Sequence, residues 1–124
     1  MSYSKYHAVK TELDGIKFDS KKEAKVYAEL KLLERAHEIS DLRLQVPYTL
    51  IEKSEYGREI KYIADFVYEE NGQTVVGDAK GVRTDVYRLK KRLMAEKYGI
   101  IIKEFWKRDY KQDKNAYYIK NGLH

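Results

Sequence analysis

The chain has 124 residues, a length that suits one domain built around one hydrophobic core. It carries 25 Lys and Arg residues against 20 Asp and Glu residues, and the resulting net charge of +5 favours polyanionic partners. The absence of Cys excludes disulfides, zinc–thiolate sites and thiol nucleophiles, and the three dispersed His residues offer no zinc-binding spacing. We expect neither a membrane segment nor a signal peptide, and therefore a cytoplasmic protein.

The N-terminal third is expected to form an arm, a small hairpin and a helix. Residues 1–10 are polar and basic, which predicts a flexible arm. An Asp-Gly turn between two short apolar stretches predicts a hairpin over residues 11–19. The stretch from Ser20 to Glu23 matches the capping-box pattern, so a helix should begin there and continue to about Ala36.

Three strands are predicted in the middle of the chain. Apolar residues alternate over residues 42–46, and the following Pro47 restricts that strand to a sheet edge or a strand end. Strands are also expected over Ile60–Tyr68 and Thr74–Lys80. The Asn-Gly pair between them is the strongest two-residue hairpin signal, because both positions must tolerate a positive φ.

A second helix and a last strand complete the predicted domain. Thr84 is the predicted N-cap of a helix over Asp85–Tyr98, with Gly99 just past its end. The apolar run that starts at Ile100 predicts a buried strand that extends to Phe105 and Trp106. The inward stripe of the helix is expected to contain Val86, Leu89 and Leu93.

The predicted order of helix, three strands, helix and strand defines an α/β fold with one mixed sheet flanked by helices. A strand–helix–strand connection makes the last strand parallel to the strand that carries Asp78. We interpret residues 1–124 as a single domain, with residues 107–124 as a C-terminal extension.

Two aspartates are expected to face each other across the Asn-Gly hairpin. A two-residue loop pairs Glu70 with Gln73, and the same register sets Asp65 opposite Asp78, with Cβ atoms ~5 Å apart. Lys80 lies two residues past Asp78 and shares its face. Opposed like charges destabilise a sheet, and a divalent cation bound by the carboxylates would compensate them.

An alternative interpretation makes these three side chains a ladder of ion pairs on an exposed face. The neighbouring residues argue against it, because Ile63, Val67 and Val76 make the same face apolar.

A third acid is expected on the first helix. Glu23 shares a helix face with Val26, Tyr27 and Leu30, which must pack on the sheet. If this helix covers the face that carries Val67 and Val76, Glu23 should lie beside Asp65 and Asp78. The alternative is that Glu23 serves only as the N3 residue of the capping box. The two roles can coexist.

Together these residues resemble the PD-(D/E)xK nuclease superfamily. The matching segments are SKKEAKVYAEL with Glu23, KYIADFVYEE with Asp65, and VVGDAKG with Asp78, Ala79 and Lys80. The resemblance extends from about residue 11 to residue 106. More narrowly, KYHAVKTELDGIKFDSKKEA, YIADF and GDAKGVRTDVYRLKKRLMAEKYG resemble small phage and prophage nucleases related to Holliday-junction resolvases. The chain departs from the pattern at Ala64, where the superfamily motif has Pro.

The resemblance implies a restriction-endonuclease-like αβββαβ core and a divalent-metal-dependent endodeoxyribonuclease. Asp65, Asp78 and the Ala79 carbonyl would bind Mg²⁺ or Mn²⁺, and Glu23 would complete the site directly or through water. Lys80 would orient the attacking water and stabilise charge at the scissile phosphate. Those four side chains, Glu23, Asp65, Asp78 and Lys80, are the expected catalytic residues.

DNA is the expected partner. Arg83 and Thr84 at the start of the second helix form a phosphate site, since helix N-termini favour anions. The remaining DNA-binding candidates are Arg88, Lys91, Lys61 and Gln45, and a solvated basic face is the alternative interpretation for Lys91.

The resemblance favours structure-selective cleavage of branched DNA during phage recombination. A four-way junction has approximate two-fold symmetry, so a homodimer is expected. The resemblance to phage nucleases implies that the protein acts in a bacterial host cell. Two alternatives stay open: a sequence-specific or nicking endonuclease of a mobile element or restriction type, and a non-catalytic DNA-binding module on the same fold.

Overall fold

The computed structural model describes residues 11–79 and 84–106. The arm at 1–10, the extension at 107–124, Lys80 and Arg83 therefore lie outside the described residues. The elements are β1 (Thr11–Leu13), β2 (Ile16–Phe18), α1 (Lys21–Arg35), β3 (Ser40–Ile51), β4 (Ile60–Glu70), β5 (Gln73–Asp78), α2 (Asp85–Tyr98) and β6 (Lys103–Glu104).

The described strands form one mixed sheet and a separate small hairpin. The sheet order is β3-β4-β5-β6, and β1 pairs only with β2. Strands β3, β4 and β5 are antiparallel, whereas β6 runs parallel to β5 after the α2 connection. The predicted element order and the mixed sheet are confirmed. The narrower expectation of a restriction-endonuclease-like core stays a prediction.

Turns and caps lie where the sequence places them. Asn71 and Gly72 both have positive φ, 52° and 77°, as the two-residue hairpin requires. The hydroxyl of Ser20 accepts the Glu23 N–H at 3.1 Å, so the predicted N-cap of α1 is confirmed. Gly99 ends α2 in the left-handed region at φ 69°.

The two helices cover opposite faces of the sheet. Helix α1 packs Val26, Tyr27 and Leu30 into a core with sheet residues that include Phe66 and Tyr68. Helix α2 contributes Met94 to a second core. The sheet residues of that second core are Leu50, Tyr62, Ala64, Val67, Val76 and Ile102. The prediction that α1 covers Val67 and Val76 is therefore wrong, because α2 lies there.

The alternation of faces breaks at Asp65 and at its neighbour Gln45. Strict alternation would keep Ala64 and Phe66 on one face, yet they belong to different cores. In β3, Leu44 and Val46 are separated in the same way. Gln45 has φ 53°, a left-handed conformation that turns the backbone between them. Both strands thus switch faces at one point, and Ile63 is left half exposed at 50%.

The inward face of α2 also differs from the prediction. Val86 and Leu89 are 61% and 59% exposed, so two of the three stripe residues point away from the core. Leu93 is partly buried against the second core, and Met94 is fully buried. The last strand is shorter than predicted, although Ile102 before it is buried. Within the described parts of the chain, no helix is long and apolar enough to cross a membrane.

Candidate functional site

Asp65 and Asp78, which we call the acid pair, lie at the next position of the hairpin register. Paired residues run from Glu70 and Gln73 to Phe66 and Gly77, and each pair has the predicted partner. Asp65 is 1% exposed and Asp78 is 6% exposed. The paired positions end at Phe66 and Gly77, so the direct opposition of the two aspartates stays a prediction. The burial of both excludes a ladder on an exposed face.

Asp65 is oriented by a side-chain amide and a backbone amide. The Gln45 Nε2 atom donates to Oδ1 at 3.3 Å, and the Ala79 N–H donates to Oδ2 at 2.8 Å. The left-handed φ of Gln45 lies at the position opposite Asp65 in the β3–β4 register. The break in alternation therefore serves the site, because it places the Gln45 amide on the carboxylate.

Asp78 accepts a hydrogen bond from a buried tyrosine. The Tyr62 hydroxyl donates to Asp78 Oδ2 at 2.9 Å, and the Phe105 N–H donates to the Asp78 carbonyl at 2.9 Å. Burial raises the pKa of Tyr62, and the negative charge of Asp78 raises it further. The phenol therefore stays protonated and remains a neutral donor to the carboxylate. Nothing in the sequence distinguished Tyr62 from the other eleven tyrosines.

Glu23 lies in the first turn of α1 and is 3% exposed. That end of the helix is near the end of β6, since Lys22 Nζ donates to the Trp106 carbonyl at 3.4 Å. The Glu23 backbone N–H donates to Ser20 Oγ, so its N3 position in the cap is confirmed, and the capping-box role of its carboxylate stays a prediction. Over residues 11–79 and 84–106, no three His, Asp or Glu side chains form a group that could hold a metal. A direct ligand role for Glu23 therefore stays a prediction.

Three of the predicted DNA-binding side chains make local contacts. The Thr84 hydroxyl accepts the Tyr87 N–H at 3.0 Å and so caps α2. The exposed Arg88 pairs with Asp85 of the same helix at 3.0 Å. The exposed Lys61 lies 3.6 Å from the Glu59 carboxylate, near the start of β4 and four residues before Asp65.

Gln45 and Lys91 have more specific positions than the sequence indicated. Gln45, a predicted DNA-binding residue, contacts the Asp65 carboxylate directly. Lys91 turns inward, with Nζ 3.0 Å from Glu104 Oε1, so the solvated-face interpretation is wrong for this residue. The DNA-binding roles of all these residues stay predictions.

Glu104 and Tyr87 were missed by the sequence reasoning. The parallel register pairs Glu104 of β6 with Asp78 of β5, and Glu104 is 4% exposed. The Tyr87 hydroxyl donates to Glu104 Oε2 at 2.7 Å. A signal was available, because a charged residue inside the predicted buried strand requires a partner.

The family comparison covers nearly all of the chain. Residues 3–119 match the family described as "Protein of unknown function (DUF1064)". Neither the curated proteins nor the solved structures gave a match. The chain therefore belongs to the DUF1064 family.

Proposed function

We propose that this protein is a divalent-metal-dependent DNA endonuclease that hydrolyses phosphodiester bonds. The observation that carries the proposal is the acid pair, two buried aspartates on neighbouring strands, with the Asp65 carboxylate bonded to the amide that follows Asp78. Two like-charged side chains held close together on neighbouring strands lower the stability of the fold. Buried carboxylate clusters that persist at such a cost are candidates for functional sites.

The residues present suit a hard cation such as Mg²⁺ or Mn²⁺. Carboxylate and carbonyl oxygens are the ligands that these ions prefer, and each carboxylate oxygen can accept a second interaction beside its hydrogen bond. Asp65, Asp78 and the Ala79 carbonyl would hold the ion, with Glu23 contributing directly or through water. When bound, the ion would activate water and neutralise charge that develops on the phosphate.

The neighbouring polar groups would orient the carboxylates and the attacking water and bind the DNA backbone. The Gln45 amide and the Tyr62 hydroxyl hold the two carboxylates in fixed rotamers, which is the preorganisation that catalysis needs. Lys80 would orient the attacking water. Thr84 begins α2, where the first amides and the helix dipole favour a DNA phosphate. The net charge of +5 supports a polyanionic substrate.

Branched DNA is the proposed substrate, cut by a homodimer. The reason is geometric: a subunit of 124 residues is too small to hold two scissile strands, and a junction with two-fold symmetry matches a two-fold dimer. The proposed setting is phage recombination in a bacterial cell. A sequence-specific or nicking endonuclease is the competing enzyme, and a DNA-binding module without turnover is the competing non-enzyme.

The purified protein should be incubated with a labelled four-way junction and a linear duplex of matched sequence, with Mg²⁺ and with EDTA. We expect symmetric nicks in the junction that require Mg²⁺, and an intact duplex. Cutting of both substrates would favour the sequence-directed or general nuclease. Binding without any cutting in Mg²⁺ or Mn²⁺ would reject the enzyme and favour the non-catalytic module.

A further inference from the structure

A third buried carboxylate extends the acid pair along one row of the sheet. Asp65, Asp78 and Glu104 lie on the neighbouring strands β4, β5 and β6. The Ala79 N–H bonds the Asp65 carboxylate at 2.8 Å beside Asp78, and the register pairs Asp78 with Glu104. All three are at least 94% buried, since their exposed fractions are 1%, 6% and 4%. Three carboxylates in such a row need positive charge close by, because a buried anion without compensation is strongly disfavoured.

The chain supplies positive charge to the outermost acid of this row. Lys91 reaches from α2 and places Nζ 3.0 Å from Glu104 Oε1. The Glu104 side chain is 2% exposed and the Lys91 side chain is 28% exposed, so this ion pair is largely shielded from water. Tyr87, one helical turn before Lys91, donates to the other Glu104 oxygen at 2.7 Å. Both oxygens of Glu104 are thereby engaged by α2.

We call Asp65, Asp78 and Glu104 the acid row. We propose that the Lys91 ammonium group is a permanent positive charge beside this row and limits the site to one divalent ion. The inference rests on the proposed function, in which that ion lies at the acid pair. Without the ammonium group, Asp78 and Glu104 would be two neighbouring carboxylates on one side of the sheet. Such a pair could hold a second Mg²⁺ or Mn²⁺ together with water ligands. With the ammonium group present, Glu104 is neutralised within the chain.

A purely structural ion pair makes a different prediction. If Lys91 served only to anchor α2, its removal would lower stability and leave the number of bound ions unchanged. Metal stoichiometry therefore separates the two roles, and it does so without any measurement of DNA cleavage.

The number of Mn²⁺ ions bound per chain should be measured by calorimetry and by electron paramagnetic resonance for the wild type and Lys91→Met. We expect one ion in the wild type and two in Lys91→Met, with a spectrum broadened by coupling between the two ions. Lys91→Arg keeps the positive charge and should bind one ion. The double variant Lys91→Met/Glu104→Gln lacks the new ligand and should return to one ion. Melting curves establish that each variant is folded.

One bound ion in both the wild type and a folded Lys91→Met would overturn the inference and leave the proposed function intact. Two ions in the wild type would also overturn it. No bound ion in any variant would instead remove the metal site itself, and the proposed function with it. If Lys91→Met fails to fold, Lys91→Gln gives the same test, because it removes the charge and keeps a polar contact to Glu104.

Discussion

At the scale of single residues, three neutral hydrogen-bond donors orient the acid pair. The Gln45 amide and the Ala79 N–H contact Asp65, and the Tyr62 hydroxyl contacts Asp78. These contacts fix the directions of the carboxylates and do not cancel their charges. Two like charges so close together strain the sheet, and a bound cation should relieve that strain.

This strain predicts an unusual response to Asp78→Asn. In EDTA the variant should be more stable than the wild type by up to about 1 kcal/mol, because it removes one of two opposed charges and can still accept from Tyr62. In excess Mg²⁺ the wild type should gain stability through ligand binding, and the variant should gain much less. Melting temperatures in both buffers measure the effect.

Asp19→Asn is the matched control, since it makes the same change at an exposed carboxylate outside the strands. It should follow the wild type in both buffers. Our interpretation of the acid pair fails if Asp78→Asn is destabilised in EDTA and responds to Mg²⁺ as strongly as the wild type does.

At the scale of secondary-structure elements, the β5–β6 pairing fixes the end of the hairpin that carries Asp78. Phe105 closes this junction: its N–H bonds the Asp78 carbonyl, and its ring packs edge-on against Phe66, with centroids 6.2 Å apart. Gly77 lies directly under the same ring, and a Cβ atom there would overlap it. A glycine is therefore required by close packing, although its φ is not left-handed.

Gly77→Ala should lower the free energy of unfolding by about 1–3 kcal/mol, because the added methyl group overpacks a buried core. Gly57→Ala is the control, since a Cβ atom at that exposed position meets open space. It should change stability by less than about 0.5 kcal/mol. Urea unfolding of both variants tests this packing, and equal midpoints would contradict it.

Local signals explain which elements could be predicted from the sequence. The hairpin register follows from Asn71 and Gly72, and the ends of both helices follow from their caps. The face switch at Gln45 could not be predicted, because no glycine marks the left-handed residue. The buried face of α2 was mispredicted because one of its inward contacts is with a residue of a strand. Besides Met94 in the second core, α2 turns Lys91 inward to an ion pair with Glu104, a partner thirteen positions away on β6.

At the scale of the whole molecule, two helices enclose one mixed sheet, and the acid pair lies where β4 and β5 meet beside β6. The contact of Lys22 with Trp106 brings the start of α1 to this end of the sheet. The pairing of the two aspartates could be predicted from the register that the Asn71-Gly72 turn sets. Tyr62 could not, because nothing in the sequence distinguishes it from the other tyrosines. The partners of Glu104 could not, because they depend on the pairing of β6 with β5 and on the packing of α2.

The central claim is that the acid pair serves metal-dependent cleavage of DNA, and one comparison tests it most directly. Nicking rates should be measured in Mg²⁺ for the wild type, Asp65→Asn, Asp78→Asn and the Asp19→Asn control. We predict that both acid-pair variants stay folded and lose at least about 100-fold in rate, the scale expected when a charge-stabilising group is removed from a transition state. The control should cut like the wild type. A folded Asp78→Asn variant that nicks DNA at the wild-type rate would contradict the account.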